Sequence, residues 1–323
     1  MAIAKSCNWS FVTAANDQYF FMSAILVQSL NWHFPGHPCF VMDIGLTDAQ
    51  QKFFSQKGIL LPRPAKLKDV LHPYKLKSSI ELFLNDRVTE NFVWLDADIF
   101  ALRDGRNDLT ELWSALRSTD RRFGVAPDQG PSFSLDDFTS KFRTPKLKGA
   151  LARNPDCGQR RYLNAGVMMF ADRDVLREWR QGSEELEGDV CWEQNALNLM
   201  AYEERGALIL DAHVWNVHAS LLSKVERSGP IILCDNERPV FVHGASIMYS
   251  DITDEIALLS KDDYRCETFF RRFKNPVLRE EQRKLVNMFL DHNFEDLRHL
   301  GLLRKALGGI SQPTLKSPPS PSA

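Results

Sequence analysis

No two cysteines of this chain form a Cys-x-x-Cys pair. The six present, at positions 7, 39, 157, 191, 234 and 266, are scattered, a spacing that indicates neither a zinc site nor a disulfide framework. Reduced thiols in a cytoplasmic enzyme are the simplest account. No apolar run approaches the length that spans a bilayer. The stretch Met1-Ala2-Ile3-Ala4-Lys5-Ser6-Cys7-Asn8 lacks a charged start followed by a long apolar core, so no secretory signal is read there. The formal net charge is only -2 over 323 residues, which gives no global argument for nucleic acid as a partner. What is present is ordinary for a soluble globular protein: 44% hydrophobic and 25% charged residues, with chain enough for one large domain or two small ones.

The stretch around which the rest is organised is Val93-Trp94-Leu95-Asp96-Ala97-Asp98-Ile99-Phe100. Val93, Trp94 and Leu95 are bulky, uncharged and β-favouring, the end of a buried strand. Asp96 and Asp98 lie two apart, so in extended chain both point to one side. Two carboxylates there repel each other and cost desolvation unless a cation sits between them. Oxygen ligands alone suit Mg²⁺ or Mn²⁺. The plain alternative is a pair of turn aspartates after a core strand.

The order of the other segments says where that strand sits. Phe11-Val12-Thr13-Ala14-Ala15 reads as a first strand, and Asn16-Asp17 leads into an apolar helix from Tyr19 to Leu30. Such a unit aims a helix N-terminus above the strand ends. Cys39 to Ile44 reads as strand two, Thr47 caps a helix from Asp48 to Gln56 that Gly58 closes, and Ile59-Leu60-Leu61 is a short third strand. This βαβαβ pattern predicts parallel pairing. A helix over 74–84 feeds the strand before Asp96, which places both aspartates at the carboxyl ends of the strands, where open α/β sheets bind ligands. Lys75 and Lys77 flank the start of that helix. Further on come a helix from Leu109 to Leu116, a strand at Phe123 to Ala126, and a polar excursion from Asp128 to Arg161 over the ligand face. Tyr162-Leu163-Asn164-Ala165-Gly166 then enters a very apolar strand, Gly166 permitting close backbone approach. A helix beginning Trp192-Glu193-Gln194-Asn195 bunches polar groups at its start. Leu208-Ile209-Leu210 reads as a strand, followed by Val214-Trp215-Asn216, and Pro239 to Gly244 is a strand ending in His243-Gly244. Beyond residue 260 the chain reads as helical and basic, either a cap packed on the domain or a surface that meets anionic lipid. Residues 311–323 are Ser/Pro-rich and read as disordered.

Taken in order, Thr13-Ala14, Asp96-x-Asp98, Asn164-Ala165-Gly166, Glu193-Gln194 and His243-Gly244 resemble the GT-A glycosyltransferases, most closely glycosyltransferase family 8 and its nucleotide-diphospho-sugar transferase relatives, over roughly residues 9–250. Asp96 and Asp98 match the family's Asp-x-Asp, Asn164-Ala165-Gly166 its Asn-Ala-Gly, and His243 the histidine of its late His-x-x-Gly motif. Two departures stand out. Glu193 occupies a position where the family usually has aspartate, and the late motif, here His243-Gly244-Ala245-Ser246-Ile247-Met248-Tyr249, lacks the family's diphosphate-contacting lysine.

The resemblance implies an α/β, Rossmann-like GT-A domain with a mostly parallel sheet flanked by helices over 1–260, a helical C-terminal extension over 261–310 and a tail. It also implies a metal-dependent hexosyltransferase using a nucleotide diphosphate sugar, a UDP-sugar, on a saccharide or lipid-linked acceptor with retention of configuration. Asp96, Asp98 and His243 would hold the ion, and the imidazole tilts the choice from Mg²⁺ toward Mn²⁺. Glu193 and Gln194 would stabilise the cation-like anomeric carbon, and Asn164 would bind sugar hydroxyls. Thr13, Ala14, Asn16 and Lys77, with Ala97 and Gly244, would complete the donor site. Two rivals share this plan. A sugar-phosphate nucleotidyltransferase requires a Gly-rich, basic loop after strand one, which Ala14-Ala15-Asn16-Asp17 does not supply; the other is a non-catalytic carbohydrate-binding protein on the same fold. The chain would be cytoplasmic, with possible peripheral contact to a membrane's inner face.

Overall fold

A computed structural model describes residues 9–128, 133–244, 252–261 and 264–305. The Ser/Pro-rich end and positions 245–249 of the late motif lie outside the described residues. From the amino end come β1 (Ser10–Ala15), α1 (Phe20–His33), β2 (Cys39–Asp43), α2 (Asp48–Gln56), β3 (Leu60–Leu61), α3 (Pro73–Ser78), β4 (Phe92–Leu95), β5 (Ile99–Ala101), α4 (Arg106–Ser118) and β6 (Phe123–Pro127). Three short helices follow, α5 (Leu135–Lys141), α6 (Pro145–Arg153) and α7 (Pro155–Gly158), then β7 (Leu163–Phe170), α8 (Asp174–Leu186), α9 (Trp192–Ala201), β8 (Ala207–Ile209) and α10 (Ala212–Trp215). The remainder is β9 (Val225–Ser228), β10 (Ile231–Cys234), β11 (Phe241–His243), β12 (Ile252–Lys261), β13 (Tyr264–Phe273), α11 (Pro276–His299) and β14 (Arg304–Lys305).

The main sheet has seven strands in the order β3-β2-β1-β4-β7-β6-β8. Strand β7 runs antiparallel to both neighbours; every other pairing in this sheet is parallel. Side chains alternate between two covered faces, which is why these strands read as near-continuous apolar runs. Phe11, Val93 and Leu95 join Phe53, Trp113 and Phe289 on the side of α1, α2, α4 and α11. Val12, Phe92 and Trp94 join Leu76, Trp179 and Leu197 on the side of α3, α8 and α9. Helix α2 starts where the sequence says it must, with a capping box between Thr47 and Gln50, and Gly58 sits at φ +71° beyond its end.

Three segments differ from the reading of the sequence. The helix over 74–84 ends at Ser78 and continues as a 3₁₀ turn, Ile80–Leu82; of the apolar residues Leu76, Ile80, Phe83 and Leu84, the first three are buried and Leu84 is half-buried. The polar excursion is not a loose loop: α5, α6 and α7 enclose a small core of Phe133, Phe138, Leu147, Leu151 and Tyr162. Residues 264–273, read as helical, are strand β13, paired antiparallel with β12. Among the described residues beyond 260, α11 is the helix. Its Leu285, Phe289, Leu290 and Leu297 belong to the main core, so its apolar side is consumed by packing. Among the described residues no helix is long and apolar enough to cross a membrane.

Candidate functional site

The sheet delivers Asp96-Ala97-Asp98 as the tight turn between β4 and β5, closed by Ile99 N–H donating to the Asp96 carbonyl at 3.1 Å. The two carboxylates therefore converge through a turn, not through strand alternation. Strand β11 pairs antiparallel with β5 and sets His243 opposite Ile99, and Gly244 N–H donates to the Asp98 carbonyl at 3.2 Å. This register brings a distant imidazole to the turn. One ligand atom each from Asp96, Asp98 and His243 lies within 4.8 Å of the others.

On the Asp96 side, Lys77 from α3 places Nζ at 2.7 Å from Oδ1 and 2.9 Å from Oδ2, and Trp94 Nε1 donates to Oδ1 at 2.9 Å. Burial alone would lower the Lys77 amine, but the Asp96 carboxylate, helped by Glu193, outweighs it and the amine titrates above the ordinary lysine value. Glu193 is buried, and Oε2 has no hydrogen-bond partner among the described residues. Burial pushes its carboxyl up to about 7, Lys77 opposing and Asp96 reinforcing the shift.

On the Asp98 side, His243 Nε2 lies 3.3 Å from Asp98 Oδ1. Burial opposes both charges, yet each outweighs it for the other, so Asp98 titrates below and His243 above its ordinary value. The far edge of the imidazole is fixed: Nδ1 lies 3.0 Å from Asn216 Oδ1. Asn216 Nδ2 donates to the Pro127 carbonyl at 3.4 Å, so its oxygen faces the histidine and takes the Nδ1 proton, which turns Nε2 inward toward Asp98. The His218 ring stacks on His243 with centroids 4.4 Å apart and planes 28° apart. Burial, with His243 adding to it, pushes the His218 imidazole down to about 3, hence neutral.

Gly166 accounts for the Asn-Ala-Gly run. The ladder between β6 and β7 shifts register, Val125 facing Met168 but Ala126 facing Asn164, so Ala165 to Val167 bow out. The Gly166 carbonyl accepts Asp96 N–H at 2.8 Å, and a Cβ at Gly166 would collide with His243 Cε1 and Nδ1.

The other expected site residues take varied places. Asn164 is buried and its Oδ1 accepts Gly166 N–H at 2.8 Å. Gln194 uses both ends of its amide: Oε1 accepts Ala165 N–H at 3.0 Å, and Nε2 donates to Asp128 Oδ2 at 3.0 Å. Thr13 is buried in β1 and its Oγ1 has no partner among the described residues. Ala14 is half-buried and Ala97 buried. Asn16 Oδ1 accepts Tyr19 N–H at 3.0 Å and so shapes the turn into α1. Asp128, Asn216 and His218 were not singled out from the sequence. Asp128 is buried beside Gln194 and 3.4 Å from His218 Nδ1, and burial raises its carboxyl. The available signal was that an imidazole at a strand end needs a partner for its second nitrogen, but nothing local says which residue supplies it.

Neither the family models nor the curated proteins yield a match. Solved structures do. The bifunctional glycosyltransferase WbbM matches 76% of this chain at 15% identity with a TM-score of 0.51. GlyE of Streptococcus pneumoniae TIGR4 matches 91% of this chain and 64% of its own at 14% identity, TM-score 0.49. The galactosyltransferase LgtC matches 76% of this chain and 90% of its own at 17% identity, TM-score 0.46. The chain spans about half the length of WbbM, 47% of it. The WbbM match carries the fold assignment: a mixed, mostly parallel sheet flanked by helices, the GT-A glycosyltransferase fold.

Proposed function

We propose that this chain is a metal-dependent glycosyltransferase that moves a hexose from a nucleotide diphosphate sugar, a UDP-sugar, to a saccharide or lipid-linked acceptor. The observation that supports it most is the meeting of Asp96, Asp98 and His243. The donor set fits a divalent ion: two carboxylates and one imidazole whose Nδ1 is already held, so that Nε2 is the nitrogen that would ligate, giving up its proton to do so. Mn²⁺ suits it better than Mg²⁺, and when bound the ion would neutralise charge on the diphosphate leaving group.

The chain's own residues do the rest. Lys77 supplies a fixed positive charge beside Asp96. Glu193, half-protonated near neutral pH, and Gln194 flank the position proposed for the sugar. Because the Gln194 amide is occupied at both ends, its contribution is to hold Asp128 and the Ala165 backbone. Asn164 likewise fixes the bowed strand that admits His243. Thr13 Oγ1 and Glu193 Oε2 are buried polar atoms without hydrogen-bond partners among the described residues, the kind that a hydroxyl-rich ligand or ordered water satisfies. Retention of configuration, and contact with anionic lipid through the charged outer side of α11, are extensions of the same reading.

Nucleotide release from a panel of sugar nucleotides, with Mn²⁺ and with chelator, tests it. Metal-dependent release from a UDP-sugar is the expected result. Tight UDP binding without release would instead indicate a binding protein. Pyrophosphate-dependent formation of nucleoside triphosphate would indicate a nucleotidyltransferase.

A further inference from the structure

We propose that Asn216 and His218 are positioning residues that fix the imidazole of His243 from its edge and from its face, a clip built from one three-residue segment. The inference rests on the reading of Asp96, Asp98 and His243 as an ion site, and goes beyond it by naming what orients the weakest link. Asp96 and Asp98 belong to one turn and cannot drift apart. His243 comes from the other end of the chain, and only β11 and its neighbours fix it.

Three contacts tie the segment 216–218 to that histidine, and a fourth ties it to the residue before. Val217 bridges Val242 in parallel, and the Val217 carbonyl accepts His243 N–H at 3.0 Å. These two place the backbone. The Asn216 side chain then takes Nδ1 at 3.0 Å, which fixes the tautomer and the rotation of the ring about its own axis. The His218 ring lies on the face of the His243 ring at 4.4 Å, which fixes the tilt. Both clip residues are themselves pinned to one site, the end of β6: Asn216 to the Pro127 carbonyl at 3.4 Å and His218 to the Asp128 carbonyl at 3.3 Å. Asn216 and His218 are buried, with 0% and 3% of their surface exposed. Buried polar side chains at a core position cost stability unless something needs them. Orienting a ligand imidazole is such a need, and partners of this kind are worth roughly 10–100-fold in metal affinity.

The clip makes separable predictions for its two jaws. Asn216→Ala removes the edge contact, and His218→Ala the face. His218→Phe keeps a ring on the face of His243 but cannot bond Asp128. Mn²⁺ binding, read as loss of the free-ion electron paramagnetic resonance signal with no donor present, should weaken by roughly 10–100-fold in Asn216→Ala. It should weaken less in His218→Ala and stay within about threefold of wild type in His218→Phe. A wild-type-like affinity in folded Asn216→Ala overturns the proposal.

Should Asn216→Ala fail to fold, the wild type decides. With ¹⁵N-labelled histidine and diamagnetic Mg²⁺, His243 should carry a proton on Nδ1, and an Nδ1 without one overturns the clip. A wild-type protein that binds no Mn²⁺ at all defeats the functional reading itself, a result distinct from intact binding that ignores both substitutions.

Discussion

Asp96 and Asp98 are separated by a single alanine, yet the two sides of the cluster are built on opposite plans. Asp96 meets a permanent cation: Lys77 reaches both of its oxygens from α3, with Trp94 alongside. Asp98 meets a titratable ring, His243, whose orientation depends on residues from β6 and the chain after α10. The first side is local, made by segments that adjoin in sequence and sheet. The second is assembled from three distant stretches. Asp96 therefore has a permanent counter-charge in the fold before any ion binds, whereas the counter-charge at Asp98 changes with pH.

The largest difference should appear in activity. Asp98→Asn should lower metal-dependent nucleotide release on the order of a thousandfold, while the melting temperature stays within a few degrees of wild type; a collapse of folding would make Asp98 a structural residue. Gly166→Ala is next. Its Cβ would displace the His243 ring, so Mn²⁺ affinity should fall by roughly tenfold or more, measured by the same resonance titration, with Asp96 and Lys77 untouched. Asp96→Asn should act on the fold where Asp98→Asn does not. It strands the largely buried Lys77 amine, at a cost of about 3 kcal/mol in chemical denaturation, and a cost near zero would erase the contrast between the two sides.

The smallest effect concerns Glu193. Its carboxyl lies at about 7 in the folded chain against an ordinary 4.5. A raised folded-state value means that its contribution is fully present below the ordinary value and is lost as pH rises through about 7. Wild type should therefore lose stability between pH 5 and 8 relative to Glu193→Gln, by roughly 2 kcal/mol once relaxation of the site is allowed for. Parallel pH curves would mean that Glu193 is not held in that environment.

The same contrast governs what could be read in the sequence. Strands β1, β2, β4 and β7 announced themselves as apolar runs, because both faces of the sheet are covered. Helix α2 did so through Thr47 and Gly58. Asp96 and Asp98 were visible because two carboxylates beside a core strand are costly without a reason. The excursion from 128 to 161 was misread because Pro145 and Pro155 look like breakers, whereas here both stand at the first turn of a helix, where a missing N–H costs nothing. Strand β13 was hidden because its pairing with β12 is a tertiary fact, and its basic, aromatic text carries no clean period of two. Asn216 and His218 could not be found at all. Val214-Trp215-Asn216 follows the strand read at Leu208-Ile209-Leu210 without a role of its own; it is the end of α10 and the residue after it, and its value lies in what β11 brings beside it.

The account's central claim is that Asp96, Asp98 and His243 share one ion. Anomalous diffraction at the manganese edge, from crystals grown with Mn²⁺ and UDP, tests this most directly. The predicted result is a single strong peak about 2–2.3 Å from an oxygen of each aspartate and from His243 Nε2. A peak held by the aspartates with His243 out of reach, or no peak at the turn between β4 and β5, would contradict it.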